Sequence, residues 1–199
     1  MSDAQFLPRL PPQMPQLPPS FMGHAARWVL RCSGWRIAGE LPDLPKVVLI
    51  AAPHSSNWDA VLGLLFKVAL RADIHFIGKR EAFFWPIGVA LRSMGGIPID
   101  RDSAHDMVGQ MRERFGASDR FWLGLAPEGT RKKVTKWKSG FWHIARAADV
   151  PILPMYFHYP EKVIGFGPTF AASSDFEADM AKLREFYAPF KGKNRGTLQ

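Results

Sequence analysis

An α/β fold, a single domain with a central mixed or mostly parallel sheet flanked by helices, is predicted by three observations. Short β-branched apolar runs bounded by proline or glycine alternate along the chain with segments of helical periodicity. At 199 residues with 47% hydrophobic content, the chain holds enough apolar side chains for one full core and is short for two. No internal repeat at a solenoid or propeller period interrupts the alternation.

Residues 1–20 carry Pro8, Pro11, Pro12, Pro15, Pro18 and Pro19, a density that excludes helix and central strand and predicts a flexible, extended arm. From Phe21 the pattern becomes helical. Phe21, Met22, Ala25, Trp28, Val29 and Cys32 fall on one side, and His24, Arg27 and Arg31 on another, which predicts an N-terminal amphipathic helix over 21–34. Two placements fit that stripe, insertion into a lipid interface or packing on the domain's own core, and the pattern does not choose between them.

Lys46 to Ala52, KVVLIAA, lies between Pro45 and Pro53 and reads as a buried strand that delivers the next residues to a sheet edge. Trp58 to Leu70 is apolar almost all round, as expected of a helix with little water contact. A strand near Ile74 to Ile77 follows, then a helix from Pro86 to Met94 with proline in its first turn and Gly95 beyond its end, then a short strand at Ile97 to Ile99. Ser103 and Asp106 have capping-box spacing ahead of a helix that Gly116 should stop. Phe121 to Leu125 reads as strand, Phe141 to Ala148 as helix and Ile152 to Phe157 as strand. Ser174 with Glu177 should cap a last amphipathic helix. The tail from Lys191 is basic and is expected to be mobile.

Twenty-six Lys and Arg against 18 Asp and Glu give a net charge of +8, which favours anionic partners: phospholipid head groups, phosphorylated substrates or nucleic acid. The lone Cys32 requires no oxidising compartment. No uncharged apolar run approaches the ~18 residues needed to cross a bilayer, and the N-terminus lacks the layout of a secretory signal. The expectation is a cytoplasmic protein with no transmembrane helix, lying on the membrane if it meets one.

The first chemical signal is Pro53-His54-Ser55-Ser56-Asn57-Trp58-Asp59, a histidine after a strand with a carboxylate five positions on. Along a continuous helix five residues turn the chain by about 500°, which would separate the two side chains. A loop leading into a helix start can bring them together, so that Asp59 accepts from one imidazole nitrogen and the other serves as a base. Ser56 and Asp59 also have capping-box spacing, so Asp59 has a purely structural reading and His54 that of an ordinary loop histidine.

A second signal, Pro127-Glu128-Gly129-Thr130-Arg131 after the strand at 121–125, joins freed backbone amides, a hydroxyl and an arginine fork, a set suited to a phosphate and equally to a polar turn. A third, Gly95 to Arg101, ends a strand in Asp100-Arg101, where the arginine can reach a phosphate or pair with a neighbouring aspartate. Arg131, Lys132, Lys133, Lys136 and Lys138 around Trp137 form a basic aromatic stretch that suits membrane, carrier protein or donor phosphates, or is a solvated loop. The six histidines show no metal-ligand spacing and Cys32 lies far from His54, so neither a metal nor a cysteine nucleophile is expected.

The order of the blocks is more specific than any one of them. His54 to Asp59, Gly95 to Arg101, Pro127 to Arg131 and Val150-Pro151-Ile152-Leu153-Pro154 resemble the four ordered blocks of the glycerolipid acyltransferase family, which includes the 1-acylglycerol-3-phosphate acyltransferases. The resemblance runs from about Trp35 to Phe157 and places an acyltransferase domain at 35–190. It implies His54 as general base, Asp59 as its orienting partner, and Arg101, Glu128, Gly129, Thr130 and Arg131 as the acceptor-binding set. It also implies an acyl-CoA or acyl carrier protein donor, a lysophospholipid acceptor, no cofactor, and a place at the inner face of an anionic membrane. Pro98, Ala126 and Lys132 depart from the family pattern, and with them the acceptor is open: an amino-acid lipid is an alternative to a lysophospholipid. A non-enzymatic module binding membrane or RNA would explain the charge but not His54 and Asp59 at a strand end, so nucleic acid is not expected. A hydrolase would use the same base.

Overall fold

In chain order, the elements are helix α1 (Phe21–Ser33), strands β1 (Arg36–Ala38) and β2 (Lys46–Ala52), helix α2 (Asn57–Leu70), strand β3 (Ile74–Lys79), a 3-10 turn at Arg80–Ala82 and helix α3 (Ile87–Ser93). Strand β4 (Gly96–Ile99), helix α4 (Ala104–Ala117), strand β5 (Phe121–Leu125), helix α5 (Gly140–Ala148), strands β6 (Ile152–His158) and β7 (Val163–Phe166) and helix α6 (Phe176–Tyr187) complete the chain. The computed structural model describes residues 7–99 and 104–194. Arg101 and the Ser103 cap lie outside those residues.

The sheet order is β1-β7-β6-β2-β5-β3-β4, and every neighbouring pair is parallel except β6 with β7. This is the expected mostly parallel sheet with helices on its faces. Alternation along β2 divides the core. Val48, Ile50 and Ala52 join Leu123 and Ile152 beneath α4, α5 and α6, while Val47 and Leu49 join Trp122 and Leu153 on the opposite face. Helices α1 and α2 pack together on that second side, around Leu30, Phe66 and Ala69.

Several boundaries differ from expectation for identifiable reasons. Strands β1 and β7 were not predicted, because three and four residues are too few to show a period, and their pairing is set by each other. Asp175, rather than Ser174, caps α6: its side chain accepts from Ala178 N–H. Helix α4 continues one residue past Gly116.

The proline-rich segment is extended as its composition dictates, but over residues 7–20 it is not a flexible arm. Met14 is fully buried against Leu41, Leu70 and Trp122, Leu17 N–H donates to Arg71 O at 2.7 Å, and Gln13 N–H donates to Asp43 Oδ1 at 2.7 Å. Its few apolar side chains find a seat that proline itself does not predict. The basic tail is likewise held at residues 191–194, where Asn194 Nδ2 donates to Ser55 O at 2.7 Å.

Helix α1 does not pack its predicted stripe on the domain's own core. Gly23, Ala26 and Leu30 face inward, whereas Phe21 and Trp28 are 86% and 67% exposed, with Met22, Val29 and Cys32 also on the outside. Small inward residues let α1 lie close on α2, since a side chain at Gly23 would sit 3.4 Å from Val68 O. The aromatic stripe therefore points away from the core.

Candidate active site

Three adjacent parallel strands, β6, β2 and β5, end on one edge of the sheet, with Ile50 level with Leu125 and Ala52 level with Tyr156. The chain leaving β2 forms the loop that carries His54, the chain leaving β5 forms the turn of Glu128 to Arg131, and the chain leaving β6 arrives at Tyr159. Residues more than 70 positions apart in sequence meet there because parallel strands share a carboxyl edge.

Ser56 caps α2, and Asp59, three residues on, completes a capping box. The carboxylate does more than cap. Its Oδ2 accepts the N–H groups of Ser55 and Ser56, each at 2.7 Å, its Oδ1 accepts the Tyr159 hydroxyl at 2.6 Å, and Oδ2 lies 3.6 Å from His54 Nδ1. The carboxylate that completes the capping box thus also lies beside the His54 ring. At 1% exposure the charge is held by donors rather than water. The His54–Asp59 spacing is longer than a hydrogen bond.

Burial, then the hydrogen bond to Asp59, push the Tyr159 phenol far above its ordinary value, so its oxygen remains a protonated donor.

Glu128 is 1% exposed, and its Oε1 accepts the backbone N–H of His54 at 3.1 Å, so it braces the histidine loop from behind. Gly129, at φ 64°, turns the chain where a side chain would meet the Lys138 stem at 3.0 Å. Thr130 Oγ1 accepts Lys132 N–H at 3.3 Å, and Thr130 and Arg131 both line a cavity of about 1250 Å³. Trp137, expected within an exposed basic stretch, is 7% exposed and packs on Phe141 and Tyr187, while the cations beside it face solvent.

His54 and Asp59 also line that cavity. On the α2 side its wall is Leu49, Gly63, Leu64 and Ile74; on the other it is Ile99, Met107 and Val108. Lys138, from the basic aromatic stretch, borders it over Gly129, and so does a cation that the sequence reading did not single out, Lys79 at the end of β3. A cation at the carboxyl end of a parallel strand was the available signal for Lys79. Deeper in, buried Lys67 donates to Met94 O and lies 4.0 Å from Asp73, with its pKa lowered by desolvation and partly restored by that aspartate. Among the described residues, no group of three or more His, Cys, Asp or Glu is placed to hold a metal ion.

The sheet, its helices and a partly apolar cavity bordered by cations, with an imidazole beside a carboxylate, define an α/β protein with a candidate ligand site at the carboxyl edge of its strands. The acyltransferase family model matches residues 39–158, and the chain belongs to that family. A 1-acyl-sn-glycerol-3-phosphate acyltransferase from Haemophilus influenzae is 29% identical over 150 residues, which cover 69% of this chain and 61% of that protein's length. The crystal structure of the 1-acyl-sn-glycerophosphate (LPA) acyltransferase PlsC from Thermotoga maritima is similar in fold, with a TM-score of 0.59, 16% identity, and coverage of 83% of this chain and 74% of that one.

Proposed function

We propose that this acyltransferase moves a fatty acyl group from an acyl thioester, acyl-CoA or acyl carrier protein, to the free hydroxyl of a lysophospholipid such as 1-acylglycerol-3-phosphate. The observation that carries the reading is His54 at the cavity wall with Nδ1 turned toward the Asp59 carboxylate, 3.6 Å away. With its proton on Nδ1, the ring presents Nε2 as the proton acceptor.

In this mechanism, His54 Nε2 takes the proton of the acceptor hydroxyl as its oxygen adds to the thioester carbonyl. The tetrahedral intermediate collapses with loss of the thiolate, which receives that proton from the imidazolium. The new ester bond replaces the C–S bond, and His54 returns to its neutral form. Asp59 stabilises the imidazolium between the two transfers. A thioester is already activated, so the reading calls on no covalent enzyme intermediate, metal or cofactor.

The acceptor phosphate is assigned to Thr130, Arg131 and the Gly129 turn, with Arg101 from the family pattern and with Lys79 and Lys138 as added cations on the same cavity. Glu128 is assigned to bracing the loop, because its Oε1 accepts the His54 N–H. The acyl chain is assigned to the apolar wall beneath α2. The relatives' names support the acceptor class.

The same reading places the protein on an anionic bilayer. No helix among the described residues is long and apolar enough to cross a membrane. Exposed Phe21, Met22 and Trp28 on α1, with Phe84, Trp85 and Ile87 at the start of α3, supply apolar side chains to insert, and the net charge favours acidic head groups.

The test is incubation of the purified protein with labelled acyl-CoA or acyl carrier protein and a panel of lysolipids, including an amino-acid lysolipid. Diacyl phospholipid is the expected product. Free fatty acid alone would make the protein a hydrolase, and ligand binding without turnover of either donor would make it a binding module.

A further inference from the structure

We infer that Tyr159 is a positioning residue for the His54–Asp59 pair, holding the carboxylate through Oδ1 so that Oδ2 faces the imidazole. The inference rests on the proposed role of His54 as general base. Tyr159 lies one residue beyond the segment matched by the family model and outside the four sequence blocks.

A carboxylate has two oxygens and, about its last bond, a nearly free rotation. In Asp59, Oδ2 is occupied by the Ser55 and Ser56 amides and lies nearest His54, which leaves Oδ1 to set the plane of the group. The Tyr159 hydroxyl donates to Oδ1 at 2.6 Å, a length typical of a strong hydrogen bond to a carboxylate.

The phenol is itself held from several directions. Its ring meets Trp35 edge-on, with centroids 5.0 Å apart, its N–H donates to Lys191 O at 2.9 Å, and its carbonyl accepts Lys162 N–H at 3.1 Å. Because β6 runs parallel to β2, the residue just past its end reaches the His54 loop across 100 positions of sequence. A freely rotating hydroxyl on a mobile loop would cap Asp59 but not orient it. One fixed at the ring, the amide and the carbonyl does both.

The charged and titratable groups on the neighbouring segments come from the turn after β5, the tail and the stretch after β6. Glu128, on the turn after β5, accepts from His54 N–H. Lys193 of the tail lies over Trp58, 5.0 Å from the ring centroid. Glu161 and Lys162 follow Tyr159, the first paired with Arg36 at 3.2 Å and the second donating to Ser33 O at 3.0 Å. Beside these groups, the Tyr159 hydroxyl donates to the Asp59 carboxylate. Its loss leaves more negative charge facing the imidazole, which favours the imidazolium.

The experiment compares wild type, Tyr159→Phe, Asp59→Asn and the double variant for kcat, KM, pH profile and melting temperature, with His54→Ala alongside. Phenylalanine keeps the ring against Trp35 and removes only the donor. In Tyr159→Phe, kcat is expected to fall about tenfold to a hundredfold, as for one lost hydrogen bond to a charged group, with KM within about twofold. The acid limb of its profile should move to higher pH, and adding Tyr159→Phe to Asp59→Asn should change kcat little, because the two act as one unit. A wild-type profile in Tyr159→Phe, or losses that multiply in the double variant, would overturn the inference, whatever the melting temperatures. Should Tyr159→Phe fail to fold, Tyr159→His, which keeps a ring and a donor, is expected to retain part of kcat, and a folded Tyr159→His with no detectable activity would also overturn it. Activity retained by His54→Ala would instead refute the base assignment itself, a result the tyrosine variants cannot mimic.

Discussion

The carboxylate of Glu128, almost wholly removed from solvent, accepts the main-chain N–H of His54 at 3.1 Å. A residue of the third sequence block thus shapes the loop of the first. The two lie 74 positions apart and are joined because β2 and β5 are parallel neighbours.

This contact separates bracing from acceptor binding. In Glu128→Ala, the His54 amide loses its acceptor and the loop its anchor. We expect kcat to fall about tenfold or more while KM for the acceptor changes little, since a lost hydrogen bond to a charged group is worth roughly 1.5–3 kcal/mol. Steady-state kinetics over acceptor concentration check it; a raised KM at unchanged kcat would return Glu128 to the acceptor site.

Helix α1 makes opposite predictions on its two faces. Replacing exposed Phe21 and Trp28 by serine should leave the melting temperature nearly unchanged and weaken sedimentation with anionic phospholipid vesicles. Leu30→Ala, at a fully buried position, should destabilise the fold by about 2–5 kcal/mol by denaturant titration. Unchanged vesicle binding in the first variant would remove α1 as the membrane contact.

Asp179 ties α6 to α5, accepting from Trp142 Nε1 at 3.0 Å and from Ser173 N–H at 2.7 Å. Burial works to raise its carboxyl pKa, but those donors and the Lys182 ammonium outweigh it and hold the group below its ordinary range. A carboxyl with a depressed folded pKa adds stability above its unfolded pKa, about 3.9, and that contribution is lost as pH falls through the lower folded value. Asp179→Asn should therefore be less stable at pH 7 and lose less than wild type on acidification, as read from denaturant midpoints at pH 7 and pH 3.

How much of this was legible follows from range. The α/β alternation, the long strands and the His54–Asp59 spacing are local, and the sequence carries them because a strand followed by a capped helix is written in consecutive residues. Tyr159 was not legible: its partner is 100 positions away, and no period or spacing marks a tyrosine just past a strand. The outward turn of α1 was half legible, since its pattern shows two faces but only the small residues Gly23 and Ala26 reveal which one a neighbouring helix can approach. Met14 buries itself inside a segment whose prolines argue for no packing at all.

The pH dependence of wild-type turnover should follow from base catalysis. Only a neutral imidazole takes a proton, so kcat is expected to be lost on the acid side across the range in which imidazoles titrate, about 6.5. A flat profile to clearly acidic pH would argue for another base.

The sharpest measurement is single-turnover acyl transfer from acyl-CoA to a lysophospholipid by His54→Ala, beside wild type and with folding checked by circular dichroism. Loss of the general base should slow the chemical step by about 10²- to 10⁴-fold in a folded protein. A folded His54→Ala that forms diacyl product within a few-fold of the wild-type rate would contradict the assignment of His54 as the base.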